Sequence, residues 1–478
     1  MARRRVANGD IAVLIPGILG STLLRGDDEI WGYGAVFRRL SHLTERLTDD
    51  LSLRSPDAWT DPEAGADDGV VADGLLRTRH LLPGFWGVDG YDDLVEYLTR
   101  QFDHRDLTVF PYDWRQSNRV SAHRLKRWIE PMIAARRETT PGACAVLIGH
   151  SMGGLVARFY AEVLDHGLDG EPGRVTRRIV TIGTPYQGAV KALALLANGH
   201  TQIGPFRVDL GDLARSLPSV SELLPVYETI GPTMARLGAD SREPGSVLRD
   251  ELSKITTPTG LGGLPNRAWL NCVRFHEEID GAIRTRGADP LDYRPIVEYI
   301  QPTPVWASIE PEGVRVHKPD GFEARGDGTV PRWSATPPEA SGAVAYVTGK
   351  HAALQQTRGV YHQLRGVLTE RVWQPPTLMA PLAVDDQLSA EAPELVEVGA
   401  PLHVVGESYE GYETLQLGVA VDGGEPMAML FDSAQGRYRA DLPGIGEPGV
   451  HRWVVAATND QSVAVESVSD LVYVTEPD

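Results

Sequence analysis

Short apolar runs alternate with amphipathic segments along most of the first 370 residues. The runs IAVLIPGILGS, DLTVFPYDW, ACAVLIGHS and RRIVTIGTP have the length and composition of strands, and ACAVLIGHS is typical of a strand buried on both faces of a parallel sheet. Segments between them, such as GYDDLVEYLTRQF and MGGLVARFYAEVL, place apolar residues at helical spacing. TPVWASI and AVAYVTG look like further strands, and LQQTRGVYHQLRGVLTERV like a closing helix. The alternation predicts an α/β fold with helices on both faces of a mostly parallel sheet.

The pattern changes at two places along the chain. From about residue 186 to residue 269, short apolar pieces are broken by Pro and Gly, which is typical of a lid or cap over a site. After QPPTLMAPLA, short alternating runs separated by turn residues predict an all-β sandwich of immunoglobulin-like type, without the cysteine pair of true immunoglobulin domains. We therefore expect a catalytic α/β domain over residues 1–375 and a β-sandwich domain over residues 376–478.

Charge is concentrated in the second predicted domain. The chain carries a net charge of -19, and residues 376–478 hold 18 acidic residues against three arginines and no lysine, a net charge of -15. Because binding to nucleic acid requires a basic face, we expect no nucleic-acid partner. The acidic segment is expected to favour solubility, and a structural or protein-binding role fits it better than contact with anionic lipid.

Cysteine usage and hydropathy bear on location and cofactors. Cys144 and Cys272 are the two cysteines, so one disulfide is conceivable, although a buried thiol is favoured for Cys144. Neither lies in a metal-ligand spacing, and no nucleotide-binding loop is present, so no cofactor is expected. No stretch approaches the roughly 20 apolar residues of a membrane span. The first apolar run is interpreted as a core strand rather than a signal peptide, which predicts a cytoplasmic location.

One pentapeptide carries the clearest chemical signal. GHSMG, at residues 149–153, fits the pattern G-x-S-x-G between an apolar strand and a helix. In that context the serine adopts a strained backbone conformation, its hydroxyl projects above the sheet, and the residues two positions away must be small. A chance match is the alternative, but the flanking strand and helix favour Ser151 as a nucleophile. His150, inside the motif, points the wrong way to serve as its base.

A serine nucleophile needs a base and an orienting acid, which follow it in the chain order Ser, Asp or Glu, His in this fold class. Asp327 lies in the segment GDGTVP, and His351 lies between a predicted strand and helix. Taken singly, Asp327 could be a turn residue and His351 a surface histidine. In this order after the serine, they are the favoured pair. The competing acids and bases are Asp320, Asp292, His317 and His362.

An oxyanion hole requires two backbone N–H groups that point to the developing charge. The residue after the nucleophile, Met152, supplies one, and a loop after an early strand supplies the other. LIPGILGS is the candidate loop. Counting past Pro16, which has no N–H, and past Gly17, the sequence favours Ile18; an ordinary turn at the end of the strand is the alternative.

Several motifs in order resemble the lecithin:cholesterol acyltransferase family, which includes lysosomal phospholipase/transacylases and phospholipid:diacylglycerol acyltransferases. They are LIPGILGSTL, IWGYGAVFRRL, LLPGFWGVDGYDDLVEYL, VFPYDWRQS, LIGHSMGGLVARFY, TIGTPYQGA, and GDGTVP followed by GKH. The resemblance implies an α/β-hydrolase core with a cap and a lid. It implies Ser151, Asp327 and His351 as catalytic residues and the amides of Ile18 and Met152 as the oxyanion hole.

The resemblance also implies acyl transfer from lipid esters, often phospholipids, to water or an alcohol. The family's secreted members have a signal peptide and a disulfide near the lid, and this sequence predicts neither. The acidic β-domain is also outside the family pattern. We therefore expect a serine acyl hydrolase or O-acyltransferase acting on a phospholipid-type ester, with its lid contacting membrane surfaces transiently. Two alternatives stay open: a cytosolic esterase or amidase for a small or protein-bound acyl group, and a non-catalytic binding protein of the same fold.

Overall fold

The computed structural model describes most of the chain. The described residues are 4–32, 48–77, 79–81, 87–169, 171, 173–203, 206–227, 229, 266–287, 291–310, 313–318, 325–339, 344–369, 388–408, 416–458 and 464–476. The predicted domain boundary at residues 375/376, the competing acid Asp320 and much of the predicted lid, residues 230–265, lie outside them.

A parallel sheet forms the centre of the larger part of the molecule. Its six strands are β1 Ile11–Ile15, β2 Leu107–Val109, β3 Ala145–His150, β4 Thr176–Ile182, β5 Asp292–Glu298 and β6 Ala345–Val347. They lie in the order β6-β5-β4-β3-β1-β2, and every neighbouring pair is parallel. All residues of β1 and β3 are buried, as their continuous apolar sequences predicted. The α/β-hydrolase-type core predicted from the sequence is confirmed.

Helices follow most of these strands and cover the sheet. The longer helices are α1 Asp92–Gln101, α2 Asn118–Thr139, α3 Met152–Phe159, α4 Val190–Asn198, α5 Asn266–Arg286 and α6 Arg358–Thr369. Shorter helical segments are Ala7–Gly9, Asp57–Thr60, His104–Asp106, Tyr160–Leu164, Gly211–Ser216, Pro218–Ser221 and Leu354–Gln356. Every residue of α3 is buried, so the helix that begins after the predicted nucleophile lies inside the core.

Small antiparallel sheets are present in addition to the central parallel sheet. Their strands are Ser21–Arg25, Asp28–Trp31 and Val70–Leu75; His80–Leu81 and Gly87–Val88; His200–Ile203 and Phe206–Asp209; Gln301–Pro302 and Arg325–Gly326; and Trp306–Glu310 and Gly313–His317. The predicted strand TPVWASI therefore belongs to a separate hairpin. The described part of the predicted lid contains α4 and a hairpin.

The C-terminal β-region, defined here as residues 388–476, contains two further sheets. Its strands are β7 Leu388–Glu391, β8 Leu395–Glu397, β9 Leu402–Ser408, β10 Gln416–Val421, β11 Met427–Ala428, β12 Leu430–Asp432, β13 Arg437–Leu442, β14 Gly449–Thr458 and β15 Ala464–Thr475. The sheets have the orders β7-β9-β13-β12 and β8-β15-β14-β10-β11, with antiparallel pairs except β8–β15. A separate hydrophobic core, which includes Trp453, lies between them.

Within the described ranges, none of the helices combines the length and the apolar character that crossing a bilayer requires.

Candidate active site

Ser151 lies at the sharp corner between β3 and α3. Its φ of 51° and ψ of -125° are strained for a residue with a side chain. The corner is held on both sides, because the Ser151 N–H donates to Ile182 O at 2.8 Å and the Thr184 hydroxyl donates to Ser151 O at 2.9 Å. The strained backbone that the G-x-S-x-G motif predicted is therefore present.

The glycines around Ser151 allow backbone segments to approach closely. A Cβ atom on Gly149 would lie 2.4 Å from Gly154 Cα, and one on Gly153 would lie 2.3 Å from Pro16 O. A Cβ atom on Gly154 would lie 2.0 Å from Thr184 Oγ1. Small residues are thus required here because α3 begins in contact with the ends of β1 and β3.

The structure brings the predicted serine, histidine and aspartate together. Ser151 Oγ lies 2.8 Å from His351 Nε2, and His351 Nδ1 lies 2.6 Å from Asp327 Oδ2. The three residues are only 4%, 5% and 2% exposed, so their hydrogen bonds are shielded from water. Asp327 and His351 follow Ser151 by 176 and 200 positions in the chain. The three side chains nevertheless form one hydrogen-bonded series, from hydroxyl to imidazole to carboxylate.

Backbone groups fix the orientation of Asp327. Its Oδ1 accepts hydrogen bonds from the N–H groups of Thr329 at 2.9 Å and Val330 at 2.7 Å, which leaves Oδ2 for the imidazole. The His351 N–H donates to Asp327 O at 2.9 Å, so the two loops are also joined through their backbones. The GDGTV sequence thus forms a turn whose own amides hold the carboxylate.

Three described competitors lie elsewhere. Asp292 begins β5, at the opposite end of the sheet from Ser151, where it pairs with Arg178 and Arg294. His317 lies on a hairpin, 2.7 Å from Ser308 Oγ. His362 is exposed on α6. None of these three contacts Ser151.

The loop after β1 forms a tight turn beside Ser151. The Gly20 N–H donates to Gly17 O at 3.1 Å, and Leu19 has a positive φ of 64°. The Trp31 indole N–H donates to Leu19 O at 2.9 Å and holds the turn in place. A Cβ atom on Gly17 would lie 3.0 Å from Ser151 Cβ, which shows how closely the turn approaches the serine.

Two N–H groups near the serine stay available. Among the described residues, the N–H groups of Ile18 and Met152 donate to no protein acceptor. Both residues are buried, at 3% and 0% exposure. Buried N–H groups are usually paired, so unpaired ones beside a serine hydroxyl fit the predicted oxyanion hole.

Tyr91 and His150 form a second hydrogen-bond series that the sequence analysis missed. The Gly17 N–H donates to Tyr91 Oη at 2.8 Å, and the Tyr91 hydroxyl donates to His150 Nδ1 at 2.7 Å. His150 Nε2 lies 3.3 Å from His351 O, which assigns the proton to Nε2. Complete burial, together with the nearby His351, lowers the pKa of His150 to about 3, so its ring is neutral at pH 7.

The residues before Tyr91 bind the histidine loop, residues 350–357. The Asp89 N–H donates to Ala352 O at 2.8 Å, and the Gln355 side-chain amide donates to Gly90 O at 3.0 Å. The segment DGY therefore connects the turn after β1 to the loop that carries His351. Its position inside a family-like motif was the available signal, but that motif alone gave no role for the tyrosine.

Neither cysteine belongs to the group of Ser151, His351 and Asp327. Cys144 and Cys272 are both free thiols; Cys272 is buried, whereas Cys144 is only half-buried rather than fully buried as expected. Burial raises the pKa of both thiols. Over the residues that the structure describes, no three His, Cys, Asp or Glu side chains converge as metal ligands would.

Comparison with known proteins supports the resemblance seen in the sequence. The sequence model of the lecithin:cholesterol acyltransferase family matches residues 87–274. The human protein lysosomal phospholipase A and acyltransferase is 30% identical over 134 residues, 27% of this chain and 30% of that protein. Rat phosphatidylcholine-sterol acyltransferase is 32% identical over 143 residues, 25% of this chain and 30% of that protein. The chain thus spans about 30% of the length of either curated relative, and the predicted resemblance is confirmed as a distant similarity over part of the chain.

Solved structures give two broader similarities. A chain in the crystal structure of the Tle4–Tli4 complex has a TM-score of 0.47 and 15% identity, covering 76% of this chain and 99% of that one. A fibronectin(III)-like module of Clostridium thermocellum CbhA has a TM-score of 0.16 and 18% identity, covering 19% of this chain and all of that one.

Proposed function

We propose that this chain, a distant relative of the lecithin:cholesterol acyltransferase family, is a serine acyl hydrolase or O-acyltransferase that acts on lipid esters. The observation that carries the proposal is the hydrogen-bonded series of Ser151, His351 and Asp327 at the end of a parallel sheet. A hydroxyl, an imidazole and a carboxylate in this order generate a serine nucleophile.

The first half of the reaction forms an acyl-serine. His351 Nε2 lies within reach of the Ser151 hydroxyl proton and removes it while Oγ attacks the ester carbonyl carbon. The N–H groups of Ile18 and Met152 stabilise the negative charge that develops on the carbonyl oxygen. The C–O bond to the alcohol then breaks, and the alcohol leaves with the proton from His351 Nε2.

The second half releases the acyl group by the reverse sequence. His351 Nε2 removes a proton from water or from an acceptor alcohol, whose oxygen attacks the acyl carbon. The tetrahedral intermediate collapses, and Ser151 Oγ recovers the proton from His351. Water gives a free fatty acid and an alcohol gives a new ester, so one site supports both hydrolysis and transfer.

Asp327 and His150 have different proposed roles around this base. The Asp327 carboxylate, held by two backbone amides, fixes the proton of His351 on Nδ1 and stabilises the imidazolium that forms. His150 stays neutral because it is fully buried, so it adds no positive charge beside that imidazolium. The two histidines therefore have different proposed roles: His351 transfers protons, and His150 supports the turn after β1.

The names of the relatives support a lipid ester as the substrate. One matched relative is described as a phospholipase A and acyltransferase, and the other as a phosphatidylcholine-sterol acyltransferase. Both names combine a phospholipid with acyl transfer. We extend that substrate class, and no individual acceptor, to this chain.

The test replaces the nucleophile. Ser151→Ala is expected to abolish release or transfer of acyl groups from phosphatidylcholine liposomes, assayed with and without an added alcohol, and to abolish labelling by a fluorophosphonate. Ser433→Ala, which removes an exposed hydroxyl from a turn of the C-terminal β-region, is the control and should behave like the native chain. Retained turnover or labelling in Ser151→Ala would remove Ser151 from the mechanism.

The same assay separates the two alternatives. Fluorophosphonate labelling with turnover of short water-soluble esters, but none of liposomes, would indicate an esterase for small or protein-bound acyl groups. No labelling of the native chain would indicate a binding protein. The intact hydrogen bonds of the serine, histidine and aspartate favour a catalytic role over the latter.

A further inference from the structure

A polar cavity lies next to two of the proposed catalytic residues. It has a volume of about 100 Å³, and its walls include Asp327 and His351. Three of the five lysines in the whole chain also line it. They are Lys191, Lys318 and Lys350. A chain that uses arginine for nearly all its positive charge thus places most of its lysines around one small space.

Each of these lysines faces an acidic residue of the C-terminal β-region. The nitrogen–oxygen distances are 3.5 Å for Lys191–Glu394, 2.5 Å for Lys318–Glu391 and 3.8 Å for Lys350–Asp470. All three lysines come from the α/β part of the chain, and all three acids come from the C-terminal β-region. The cavity therefore marks an electrostatic interface between the two parts. Its walls hold four carboxylates, counting Asp327, against the three lysines, which disfavours an anionic ligand and favours an intramolecular contact.

Lys350 is the lysine of this set that directly precedes His351. Its side chain is 10% exposed, and its ammonium group lies 5.8 Å from the centre of the Trp453 ring. Trp453 is 1% exposed and Asp470 is adjacent to the ammonium, so the lysine is enclosed by an aromatic face and a carboxylate. Both partners belong to neighbouring strands, β14 and β15.

A second contact from the same sheet reaches the other side of the histidine loop. The Arg452 side chain, on β14, lies 3.1 Å from the Asp89 carboxylate. Asp89 in turn donates its backbone N–H to Ala352 O, next to His351. The β14–β15 pair therefore contacts the histidine loop directly through Lys350 and indirectly through Asp89.

We propose that the C-terminal β-region is part of the catalytic apparatus, and that Lys350, held by Asp470 and Trp453, is a positioning residue for His351. The inference rests on the proposed function. Holding Lys350 fixes the backbone that carries the imidazole, and thus its distance to Ser151 Oγ. Misplacing a catalytic group by about 1 Å can reduce a rate by about 100-fold.

The ion pair also sets the charge around the imidazole. Asp327 is hydrogen-bonded to the imidazole, the neutral His150 ring lies 5.7 Å from it between ring centres, and Lys350 and Asp470 line the cavity beside it. Glu298, at the end of β5, is fully buried, and this burial raises its pKa well above the usual value. The positive charge of Lys350 and the negative charge of Asp470, whose pKa is raised by burial, oppose each other beside the ring.

Opposite shifts in pH dependence test this role. Asp470→Asn leaves the ammonium uncompensated, so the acid limb of kcat/KM should move to lower pH; Lys350→Met should move it to higher pH. Each shift is expected to be roughly half a pH unit to one unit. In the double variant Lys350→Met/Asp470→Asn, the acid limb of kcat/KM should return towards the native pH. Loss of packing alone would not move the limb in opposite directions.

Controls separate positioning from folding. Lys350→Arg keeps the charge, so its acid limb of kcat/KM should stay at the native pH and most of kcat should be retained. In Lys350→Met, kcat should fall by about 10- to 100-fold. Lys126→Met, which removes a lysine of α2 outside the cavity, should leave both unchanged. The substrate is a 4-nitrophenyl ester, and thermal unfolding confirms that each variant is folded.

The outcomes distinguish this inference from the proposed function. No fluorophosphonate labelling of Ser151 in the native chain would overturn the proposed function. An active native chain whose Lys350→Met and Asp470→Asn variants keep the native acid limb would overturn the positioning role alone.

Discussion

Tyr91 connects parts of the proposed site that lie far apart in sequence. Its hydroxyl accepts from Gly17, beside the proposed oxyanion turn, and donates to His150, next to the serine. Complete burial raises its pKa, so the hydroxyl keeps the proton that this second bond needs. One phenol thus satisfies two buried groups that the α/β core would otherwise leave without partners.

We expect Tyr91→Phe to lower both stability and catalysis. The buried Gly17 N–H and His150 Nδ1 lose their partner, which should lower the free energy of unfolding by about 1–3 kcal/mol. The turn that carries Ile18 should be held less firmly, so kcat should fall more than KM changes. Chemical denaturation and ester-hydrolysis kinetics measure the two effects. Tyr346→Phe, at a tyrosine 52% exposed on β6, is the control; equal effects in both variants would contradict the role of Tyr91.

At the level of single residues, the sequence was informative where chemistry follows a fixed chain order. Ser151, Asp327 and His351 could be proposed because the motif, the order and the loop positions agree. Tyr91 and Lys350 could not, because their importance comes from partners that are distant in the chain. A tyrosine before a helix or a lysine before a histidine has no local feature that reveals its contact.

The corner between β3 and α3 depends on contacts between whole elements. α3 begins where the carboxyl end of β1 passes beneath it, and Gly153 is the point of contact. The approach keeps Met152, the first residue of α3, next to the turn after β1. Helix, strand and turn therefore place both proposed oxyanion donors together.

Gly153→Ala is expected to disrupt this corner. The added Cβ atom would lie 2.3 Å from Pro16 O and 2.4 Å from Ile15 O, so either α3 or β1 must shift. A shift of the Met152 N–H relative to Ser151 should reduce kcat/KM by about 100-fold. Ester-hydrolysis kinetics and thermal unfolding are the measurements.

The matched control is Gly366→Ala on α6. Gly366 is exposed, and a Cβ atom there would meet nothing within 4 Å. That substitution should raise the free energy of unfolding by about 0.5–1 kcal/mol, because alanine favours a helix. A Gly153→Ala variant with native kcat/KM would show that the corner tolerates displacement.

Among the strands, β5 shows the limit of pattern reading. Its sequence, DYRPIVE, contains charged residues and a proline, so it did not stand out as a strand of the central sheet. In the structure Asp292 pairs with Arg178 of β4 and with Arg294 of β5 itself, which compensates the partly buried charges. Partners on a neighbouring strand thus permit a polar sequence inside a buried sheet, and the sequence alone does not reveal them.

At the scale of the whole molecule, the acidic character of the C-terminal β-region acquires a specific interpretation. Three of its acids face three lysines of the α/β part, and its Asp422 pairs with Arg79 on the same side. The pair of Arg452 and Asp89 has the opposite arrangement, with the basic residue in the C-terminal β-region and the acidic residue in the α/β part. The acidic residues of the C-terminal β-region, which are expected to favour solubility, therefore also make complementary charge contacts with the α/β part.

Asp89 should make the stability of this interface depend on pH. Burial is the main reason that its pKa is raised to about 6 from 3.8. Between these two values the folded chain binds more protons than the unfolded chain, so the free energy of unfolding should fall as the pH rises. This contribution is on the order of 2–3 kcal/mol between pH 4 and pH 6.5.

The measurement is chemical denaturation of the native chain and Asp89→Asn at several pH values. The difference between the two should change across this window, because the amide does not titrate. Glu425→Gln, at an exposed acid of the C-terminal β-region, should show the pH dependence of the native chain. A constant difference between native and Asp89→Asn would mean that Asp89 titrates equally in both states.

The contact between Lys350 and Asp470 also has a consequence for biosynthesis. Asp470 follows Lys350 by 120 positions, so the ribosome must make nearly all of the C-terminal β-region before this ion pair can form. A nascent chain that already contains Ser151, Asp327 and His351 would therefore still hold its imidazole loosely. Under the roles proposed for Ser151 and Lys350, acyl transfer would then become fully efficient only late in synthesis.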